Sequence, residues 1–453
     1  MINMARKLLV IGLDCVSPNL LYHKFEDELP NISRLLEDGL KGELLTTNPP
    51  ITIPAWAVMT TGKSPGELGV YGFRHRIKGK YNDFYIVNSK YIKYPAIWDL
   101  IGVKGLRSIV IGVPPSYPPK PVKGYMVSGF ITPGPESRYT FPITLKRDLE
   151  KRFGPYIFDV VYRSDDKDKI VKELWRMTEH HFKVYSYLAS KPWWNFMMFV
   201  EIGTDRVHHA FWGYMDRQHH KYVPGNKYEN IIREYYSFLD SKIGELLKNI
   251  PKDTIISLVS DHGVKRMKGA FAVNQWLMEE GYLCLEKNVC PGTELKNAPI
   301  NWSKTIAWGW GGYYARIFLN VKGREPHGVI DPEDYEHYRQ ELIDKIEKIR
   351  GPNGEEWKTK VYRPEDLYPV VRGDPPDLIA YFDDLYWRSA GTIGWPSMYL
   401  RENDRGPDDA VHDWIGIFTL YDPENTIGKM EQPVKIQDVS RIYLDAILGE
   451  TDG

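Results

Sequence analysis

The chain has 453 residues, a formal net charge of −1 and 42% hydrophobic residues. This length suits one large α/β domain with an insertion, or two domains. The balanced charge argues against a nucleic-acid-binding protein, and the sequence has no apolar run near the roughly 20 residues that cross a membrane.

Cysteine usage and the N-terminus bear on the compartment. The three cysteines, Cys15, Cys284 and Cys290, are odd in number and scattered, so neither a disulfide framework nor a CxxC metal site is expected. The short apolar run that precedes Asp14 lacks a cleavage site and is interpreted as a strand, not a signal peptide. We therefore predict a cytoplasmic protein. Abundant Lys, Glu and Tyr with few Gln favour a thermophilic source.

Five apolar runs predict strands that are buried on both faces, because their hydrophobic residues are consecutive and do not alternate. These runs are 7–13, 107–113, 195–201, 254–260 and 376–382. Two helical patterns lie between them. Asp165 and Asp166 can cap a helix that runs to about residue 189, and residues 229–247 predict another helix, which ends before Pro251. This order predicts a doubly wound α/β fold with a mostly parallel sheet and helices on both faces.

Residues 281–370 interrupt this rhythm with Pro/Gly turns, a short strand at 315–321 and a helix at 332–349. We interpret them as an inserted cap subdomain, with residues 1–280 and 371–453 forming the core. The insertion holds an aromatic cluster of Trp308, Trp310, Tyr313 and Tyr314. These rings could stack on a base or sugar of a ligand, or could pack the subdomain.

Acidic residues and histidines follow three of the predicted strands. Asp14 ends the first run, Asp205 and His209 follow the third, and Asp261 and His262 follow the fourth. The carboxyl ends of parallel strands line one edge of a sheet, and ligands bind there. Carboxylates and imidazoles gathered at that edge indicate divalent metal chemistry.

Several other histidines lie near these motifs or in pairs elsewhere in the chain. His208 adjoins His209, but the Asp-x-x-x-His spacing favours His209. His219 and His220 could bind an extra metal, although their polar surroundings favour a solvated loop. The pair at 180–181 falls within a predicted helix and is expected at the surface or in packing.

Thr52 is the candidate nucleophile. Pro54 suits the first turn of a helix, so Thr52 lies just before a helix N-terminus, where free N–H groups and the positive dipole end favour a phosphoryl group. A threonine hydroxyl needs a metal or a base to act as a nucleophile. The alternative is that Thr52 only caps the helix. The later Gly62-Lys63-Ser64 is similar to the end of a P-loop, but it would follow a helix and not a strand, so we reject that interpretation.

Taken in chain order, five features resemble the alkaline phosphatase superfamily, and within it the type I phosphodiesterase/nucleotide pyrophosphatase branch. They are Asp14, the Thr-x-Pro at Thr52, the Asp-x-x-x-His at Asp205, the Asp-His-Gly at Asp261 and the late His412. The resemblance implies an alkaline phosphatase-like fold and a hydrolase of phosphoric esters. It also implies that Thr52 forms a covalent phospho-threonine, with a small phosphoester such as a nucleotide as the partner.

The resemblance further implies two divalent ions, zinc or else Mn²⁺. One would be held by Asp205, His209 and His412. The other would be held by Asp14, Asp261 and His262, with the nucleophile Thr52 also in contact.

The substrate is less defined, because the branch usually has Asn after Thr-x-Pro and this chain has Ala55. Either the Ile53 N–H or Lys63 replaces that donor, or the substrate differs. Tyr71 and Phe73 are candidates for the cleft wall. We predict a preference for diesters. The alternatives are a phosphomonoesterase or a phosphonate hydrolase on the same site, or a catalytically inactive binding protein. Thr at position 52 disfavours sulfatase and phosphoglycerate mutase chemistry.

Overall fold

The computed structural model describes residues 5–425, 430 and 432–449. Its strands are, in chain order, β1 (Leu8–Leu13), β2 (Leu40–Leu45), β3 (Arg74–Arg76), β4 (Phe84–Ile86), β5 (Ser108–Ile111), β6 (Gly124–Val127), β7 (Thr140–Phe141), β8 (Phe196–Glu201), β9 (Ile255–Val259), β10 (Gly263–Arg266), β11 (Gly269–Ala272), β12 (Ala307–Trp310), β13 (Ala315–Leu319), β14 (Lys360–Tyr362), β15 (Leu378–Tyr381), β16 (Trp387–Ala390), β17 (Tyr399–Leu400), β18 (Ala410–Asp413), β19 (Ile415–Leu420) and β20 (Val434–Lys435).

The α-helices of the same residues are α1 (Pro30–Glu37), α2 (Thr52–Thr61), α3 (Pro65–Leu68), α4 (Ile97–Val103), α5 (Ile143–Phe153), α6 (Lys167–Ala189), α7 (Gly203–Met215), α8 (Ile231–Leu247), α9 (Val273–Glu279), α10 (Tyr335–Ile346), α11 (Pro364–Leu367) and α12 (Val439–Leu448). No helix in this described part of the chain combines the length and the apolar character needed to cross a membrane.

The main sheet has nine strands in the order β20-β2-β19-β9-β1-β8-β5-β6-β7. The five strands from β9 to β6 are parallel to one another, whereas β19 and β7 run antiparallel to their neighbours in that block. Four of the five predicted strand runs form four of these five parallel strands. The predicted mostly parallel α/β fold is therefore confirmed.

Both faces of β1 are buried, which explains its unbroken apolar run. Leu9 and Ile11 pack into a core shared with α6, α7 and α8, and Leu8 and Val10 pack into a second core shared with α2, α4 and α12. The predicted helices are also confirmed as α6 and α8, and the side chain of Asp166 caps α6 by accepting from the N–H of Lys169 at 3.1 Å.

The predicted placement of residues 376–382 in the parallel sheet is wrong. These residues do form a strand, β15, but it lies in a separate antiparallel sheet of order β12-β13-β15-β14. Leu378 packs on one side of this sheet and Ile379 on the other, so both faces are covered. A short strand with two covered faces has the same apolar run in either kind of sheet, and the sequence alone could not separate them.

The inserted unit contains the predicted short strand as β13 and the predicted helix as α10. The division into residues 1–280, 281–370 and 371–453 stays a prediction. Because β15 pairs with β13, we propose that the cap continues past residue 370 to include β15.

Candidate active site

The predicted ligands gather at the carboxyl ends of three adjacent strands. Asp14 follows β1, and Asp261 and His262 follow β9, the neighbour of β1. On the other side of β1, strand β8 leads into α7, which carries Asp205 and His209 one helical turn apart. His412 comes from far along the chain and lies in β18, which pairs antiparallel with β10 just after β9.

The first group of potential ligands contains Asp205, His209 and His412. The Oδ1 atom of Asp205 lies 3.2 Å from Nε2 of His209 and 3.8 Å from Nε2 of His412. The other oxygen, Oδ2, accepts a short hydrogen bond from Arg206. Asp205 therefore presents a single oxygen to the two imidazoles. The Sγ of Cys15 completes this group, because all four ligand atoms lie within 4.8 Å of one another.

The second group contains Asp14, Asp261 and His262. The Nε2 atom of His262 lies 3.1 Å from Oδ2 of Asp261 and 3.9 Å from Oδ1 of Asp14. Within the described residues, neither of these two carboxylate oxygens has a hydrogen-bond partner, although both are buried. The other Asp14 oxygen accepts from the indole N–H of Trp56 at 2.8 Å. Buried carboxylate oxygens without donors are rare in folded proteins, because their desolvation is unfavourable.

The three imidazoles all turn Nε2 into the site. The Nδ1 of His262 contacts the carbonyl of Gly263 at 3.1 Å, and Nδ1 of His412 contacts the carbonyl of Pro50 at 2.7 Å. A carbonyl only accepts, so each Nδ1 carries the proton and each Nε2 has a free lone pair. The Nδ1 of His209 contacts Oδ1 of Asp408 at 2.7 Å instead. Such outer contacts orient histidines that bind metals.

Burial and neighbouring charge shift the titration of these groups. Burial lowers the pKa of His262 to about 4. Burial, together with the charges of His262 and His209, lowers the pKa of His412 well below its ordinary value. Burial, reinforced by Asp205, raises the pKa of Asp14, and burial with Asp14 raises that of Asp261. The carboxylates thus lie close together in a buried site, and a bound cation would reduce their mutual repulsion.

His209 differs from the other two imidazoles. Burial opposes its charge, but the carboxylates of Asp408 and Asp205 outweigh that effect and raise the pKa of His209 to about 9. The contact between His209 and Asp408 also shifts the pKa of Asp408. Its burial is offset by His209, Arg163 and Arg388, which hold the pKa of this carboxyl well below the usual range.

Thr52 is the first residue of α2 and is almost fully buried, with 4% of its surface exposed. Its Oγ1 lies 3.4 Å from Nε2 of His262, so it borders the second group. The N-cap position of α2 is taken by Ile51 and not by Thr52, so the alternative that Thr52 only caps the helix is not supported. The first N–H groups of a helix have no intrahelical acceptor, and that of Ile53 is one of them.

The predicted substrate-binding residues separate into two sets. Ile53 and Thr52 are neighbours at the start of α2, and Phe73 packs on Phe130, whose ring also contacts Arg206. Lys63 follows the other end of α2, about 15 Å along the helix axis from Thr52. Its ammonium contacts Glu67 at 3.6 Å. This position does not support contact between Lys63 and a phosphoryl group at Thr52.

Tyr71 lies in the wall between the core and the cap. It is buried, and its hydroxyl donates to the carbonyl of Arg372 at 2.7 Å. Its carbonyl accepts a short hydrogen bond from Tyr314. The hydroxyl and the carbonyl of Tyr71 are therefore already hydrogen-bonded within the protein.

The aromatic cluster of the insertion divides into packing residues and one residue at the site, and stacking on a ligand stays a prediction. Trp308 is fully buried in the core of the cap and Tyr314 is bonded to Tyr71. Tyr313 instead lies over the site. Its ring stacks on His412 with 3.9 Å between centroids, and its hydroxyl lies 3.3 Å from Nε2 of His209.

A partly buried cluster of two arginines around Asp408 lies beside the first group and was missed by the sequence analysis. Asp408 accepts from Arg388 at 2.6 Å and from Arg163 at 2.8 Å, and Arg163 also donates to the Tyr313 hydroxyl at 3.3 Å. No motif surrounds Asp408, so the sequence carried no signal for it. Trp56 also contributes to the site, because its indole N–H holds one oxygen of Asp14.

The alternative histidines lie elsewhere. His208 Nε2 is 3.1 Å from the hydroxyl of Tyr236 in α8, and His208 belongs to neither group of potential ligands. His219 is buried, with Nδ1 accepting from the N–H of Lys221, and His220 contacts Glu402. His181 is also buried and contacts Glu201 at 3.0 Å, which is a packing role.

Comparison with known proteins identifies the family of this chain. Residues 8–408 match the family described as Type I phosphodiesterase / nucleotide pyrophosphatase. The chain therefore belongs to the type I phosphodiesterase/nucleotide pyrophosphatase family of the alkaline phosphatase superfamily. The predicted enzyme class, a phosphoric ester hydrolase, is confirmed by this membership. A search of curated protein sequences gave no significant match.

Solved structures share the fold at low sequence identity. Phosphonoacetate hydrolase from Sinorhizobium meliloti 1021, in complex with phosphonoformate, is 15% identical with a TM-score of 0.63, covering 98% of this chain and 96% of that chain. Human ectonucleotide pyrophosphatase/phosphodiesterase 5 is 14% identical with a TM-score of 0.56, covering 99% and 96%. An inactive form of its murine counterpart in complex with AMP is 14% identical with a TM-score of 0.54, covering 98% and 96%. At this identity the likeness establishes the fold.

Proposed function

We propose that this protein is a metal-dependent phosphodiesterase that acts through a covalent phosphate ester of Thr52. The observation that carries the proposal is the convergence of three carboxylates, three imidazoles and the Thr52 hydroxyl at one buried point. Each imidazole turns Nε2 inward, and two carboxylate oxygens there have no donor among the described residues. A substrate consistent with this site is a small phosphoester, such as a nucleotide.

The donor set fits two divalent cations. Asp205, His209 and His412 would hold one, and Asp14, Asp261 and His262 would hold the other, with Thr52 beside the second. Mixed oxygen and nitrogen ligands suit Zn²⁺, and Mn²⁺ is the alternative. When bound, such ions supply Lewis-acid stabilisation of phosphoryl oxygens and lower the pKa of a hydroxyl group.

The residues of the chain position the nucleophile and the phosphoryl group. The start of α2 places Thr52 and the backbone N–H groups of Thr52 and Ile53 at the helix N-terminus, where an anionic phosphoryl group is favoured. The oxygen of Thr52 bonds to phosphorus as the bond to the leaving group breaks. Water then hydrolyses the phospho-threonine and restores the hydroxyl. The partly buried ring of Tyr313 over His412 limits the access of bulk water.

A second candidate function, hydrolysis of phosphomonoesters or phosphonates, is favoured by one observation. Arg163 and Arg388 bring two positive charges to the edge of the first group against the single charge of Asp408. Arg163 is 27% exposed and reaches Tyr313, whose hydroxyl is 3.3 Å from His209. The extra positive charge would suit a substrate with a third unshared oxygen or a second anionic group.

A substrate panel tests both candidates. The protein would be loaded with Zn²⁺ or Mn²⁺ and given an aryl phosphodiester, the matching monoester and a dinucleotide. We expect the diester to have the highest kcat/KM, and metal analysis to find about two ions per chain. A monoester advantage of tenfold or more, about 1.4 kcal/mol in the transition state, would replace the phosphodiesterase by the second candidate. No turnover of any ester would refute both.

We also propose a cytoplasmic location. The three cysteines are unpaired in the structure, which suits a reducing compartment. Measurement of free thiols in protein from the native cells would test this. The thermophilic source stays a prediction.

A further inference from the structure

Cys15 occupies an unusual backbone position beside the site. It follows Asp14 directly at the end of β1, is fully buried and has a φ of 64°. A residue other than glycine pays a steric penalty in this left-handed region, and such strain is concentrated at functional sites. The turn is fastened to the next strand end, because the N–H of Cys15 donates to Oδ1 of Asp261 at 3.2 Å and that of Val16 donates to Ser260 at 2.9 Å.

This backbone turns the thiol toward the first group of ligands. The Sγ, an oxygen of Asp205 and one nitrogen each of His209 and His412 all lie within 4.8 Å of one another. The thiol otherwise contacts the carbonyl of Gly263 at 3.6 Å, which is a weak hydrogen bond. The sulfur thus stands among three inward-facing ligand atoms, and one of them, the Asp205 carboxylate oxygen, accepts from the thiol.

We propose that Cys15 is a fourth ligand of the cation that Asp205, His209 and His412 would hold. The proposal rests on the two-metal site of the proposed function. It adds a sulfur ligand that the family resemblance does not imply. A thiol binds a metal as the thiolate, and its proton passes to solvent.

Charge balance supports this assignment. The second group offers two carboxylates, Asp14 and Asp261, to a divalent ion. The first offers one carboxylate, and an oxygen of that carboxylate is already bonded to Arg206. A Cys15 thiolate gives each ion two anionic ligands. Thiolate is a soft ligand, so the first position should select Zn²⁺ or Co²⁺ over Mn²⁺ and Mg²⁺.

X-ray absorption of the zinc-loaded full chain tests the proposal without any change at Cys15. A Zn–S distance of about 2.3 Å is expected, because that is the usual length of a zinc–thiolate bond. The chain has three cysteines, so a Cys284→Ser/Cys290→Ser variant keeps Cys15 alone and should keep the sulfur signal. Both replaced residues are at least partly exposed. A zinc shell of nitrogen and oxygen alone in either protein would overturn the proposal.

Cobalt spectroscopy provides a second readout. Titration of metal-free protein with Co²⁺ should produce a thiolate-to-cobalt charge-transfer band in the wild type and in the Cys284→Ser/Cys290→Ser variant. The band should be lost in Cys15→Ser and Cys15→Ala, and its persistence in either would overturn the proposal. Should these two variants fail to fold, as judged by circular dichroism, the X-ray absorption result decides.

Turnover of an aryl phosphodiester in the same samples separates the two proposals. A nitrogen/oxygen shell together with turnover refutes the thiolate and leaves the proposed function standing. A protein that binds no metal and has no turnover refutes both. Sulfur in the shell without turnover supports the thiolate and contradicts the proposed function.

Discussion

Replacing Asp408 by Asn tests whether this carboxylate positions His209. Asp408 is fully buried, with Oδ1 2.7 Å from Nδ1 of His209 and Oδ2 2.6 Å from Arg388. Asn has nearly the same shape and can still accept from Nδ1 through its carbonyl. Its NH₂ group would then face the N–H groups of Arg388 and Arg163, so three charge-assisted hydrogen bonds are replaced by opposed donors.

Two effects of different size follow from this geometry. Loss of an outer carboxylate contact to a metal-binding histidine lowers metal affinity or activity by about 10- to 100-fold. Breaking a buried ion pair also destabilises a fold by about 3–5 kcal/mol. Arg388 is 4% exposed and should carry most of that loss, whereas Arg163 at 27% exposure is partly hydrated and contributes less.

Zinc affinity by chelator competition and urea unfolding in chelator measure the two effects separately. Asp168→Asn is the matched control, because Asp168 pairs with Lys227 at an exposed position, where loss of an ion pair changes stability little. A zinc affinity of the Asp408→Asn protein within about threefold of that of this control would refute a positioning role. The threefold limit is about half of the expected tenfold loss of affinity on a logarithmic scale.

Three further predictions follow from the site. Thr52→Ala should lower kcat/KM by at least about 10³-fold while metal content, measured by elemental analysis, stays near that of the wild type; activity within tenfold would contradict covalent catalysis. In chelator-treated protein, the free energy of unfolding should fall as pH rises from about 6.5 to about 9. The reason is that folding raises the pKa of His209 to about 9, so in this pH range the native state keeps a proton that the unfolded state has lost. The raised pKa values of Asp14 and Asp261 also make the free energy of unfolding fall as pH rises. Asp408→Asn should flatten the dependence of the unfolding free energy on pH. An unchanged dependence in this variant would refute the contribution of His209. Arg163→Met should raise the KM of an aryl monoester about tenfold more than that of the diester, as for loss of a hydrogen bond to a charged group, and equal changes would show that Arg163 does not contact the substrate.

Sequence patterns were sufficient for the features that depend on local order. Consecutive apolar residues revealed β1, β8 and β9, since strands buried on both faces need them. Parallel pairing brings the ends of neighbouring strands to one edge, so the positions of Asp14 and Asp261 followed from the strands themselves. The spacing of Asp205 and His209 set them on one face of α7, because residues four apart are neighbours on a helix.

Tertiary structure decided the features that depend on contacts between distant segments. Asp408 meets His209 across 199 positions, and Tyr313 arrives over His412 from the cap. Lys63 looked close to Thr52 in the sequence, yet α2 carries it to the opposite end of the helix. Cys15 was dismissed as an isolated cysteine, and only the left-handed turn after β1 directs its sulfur toward Asp205 and His209. Such contacts leave no periodic trace in the chain, because they are set by how whole elements pack and not by the order of neighbouring residues.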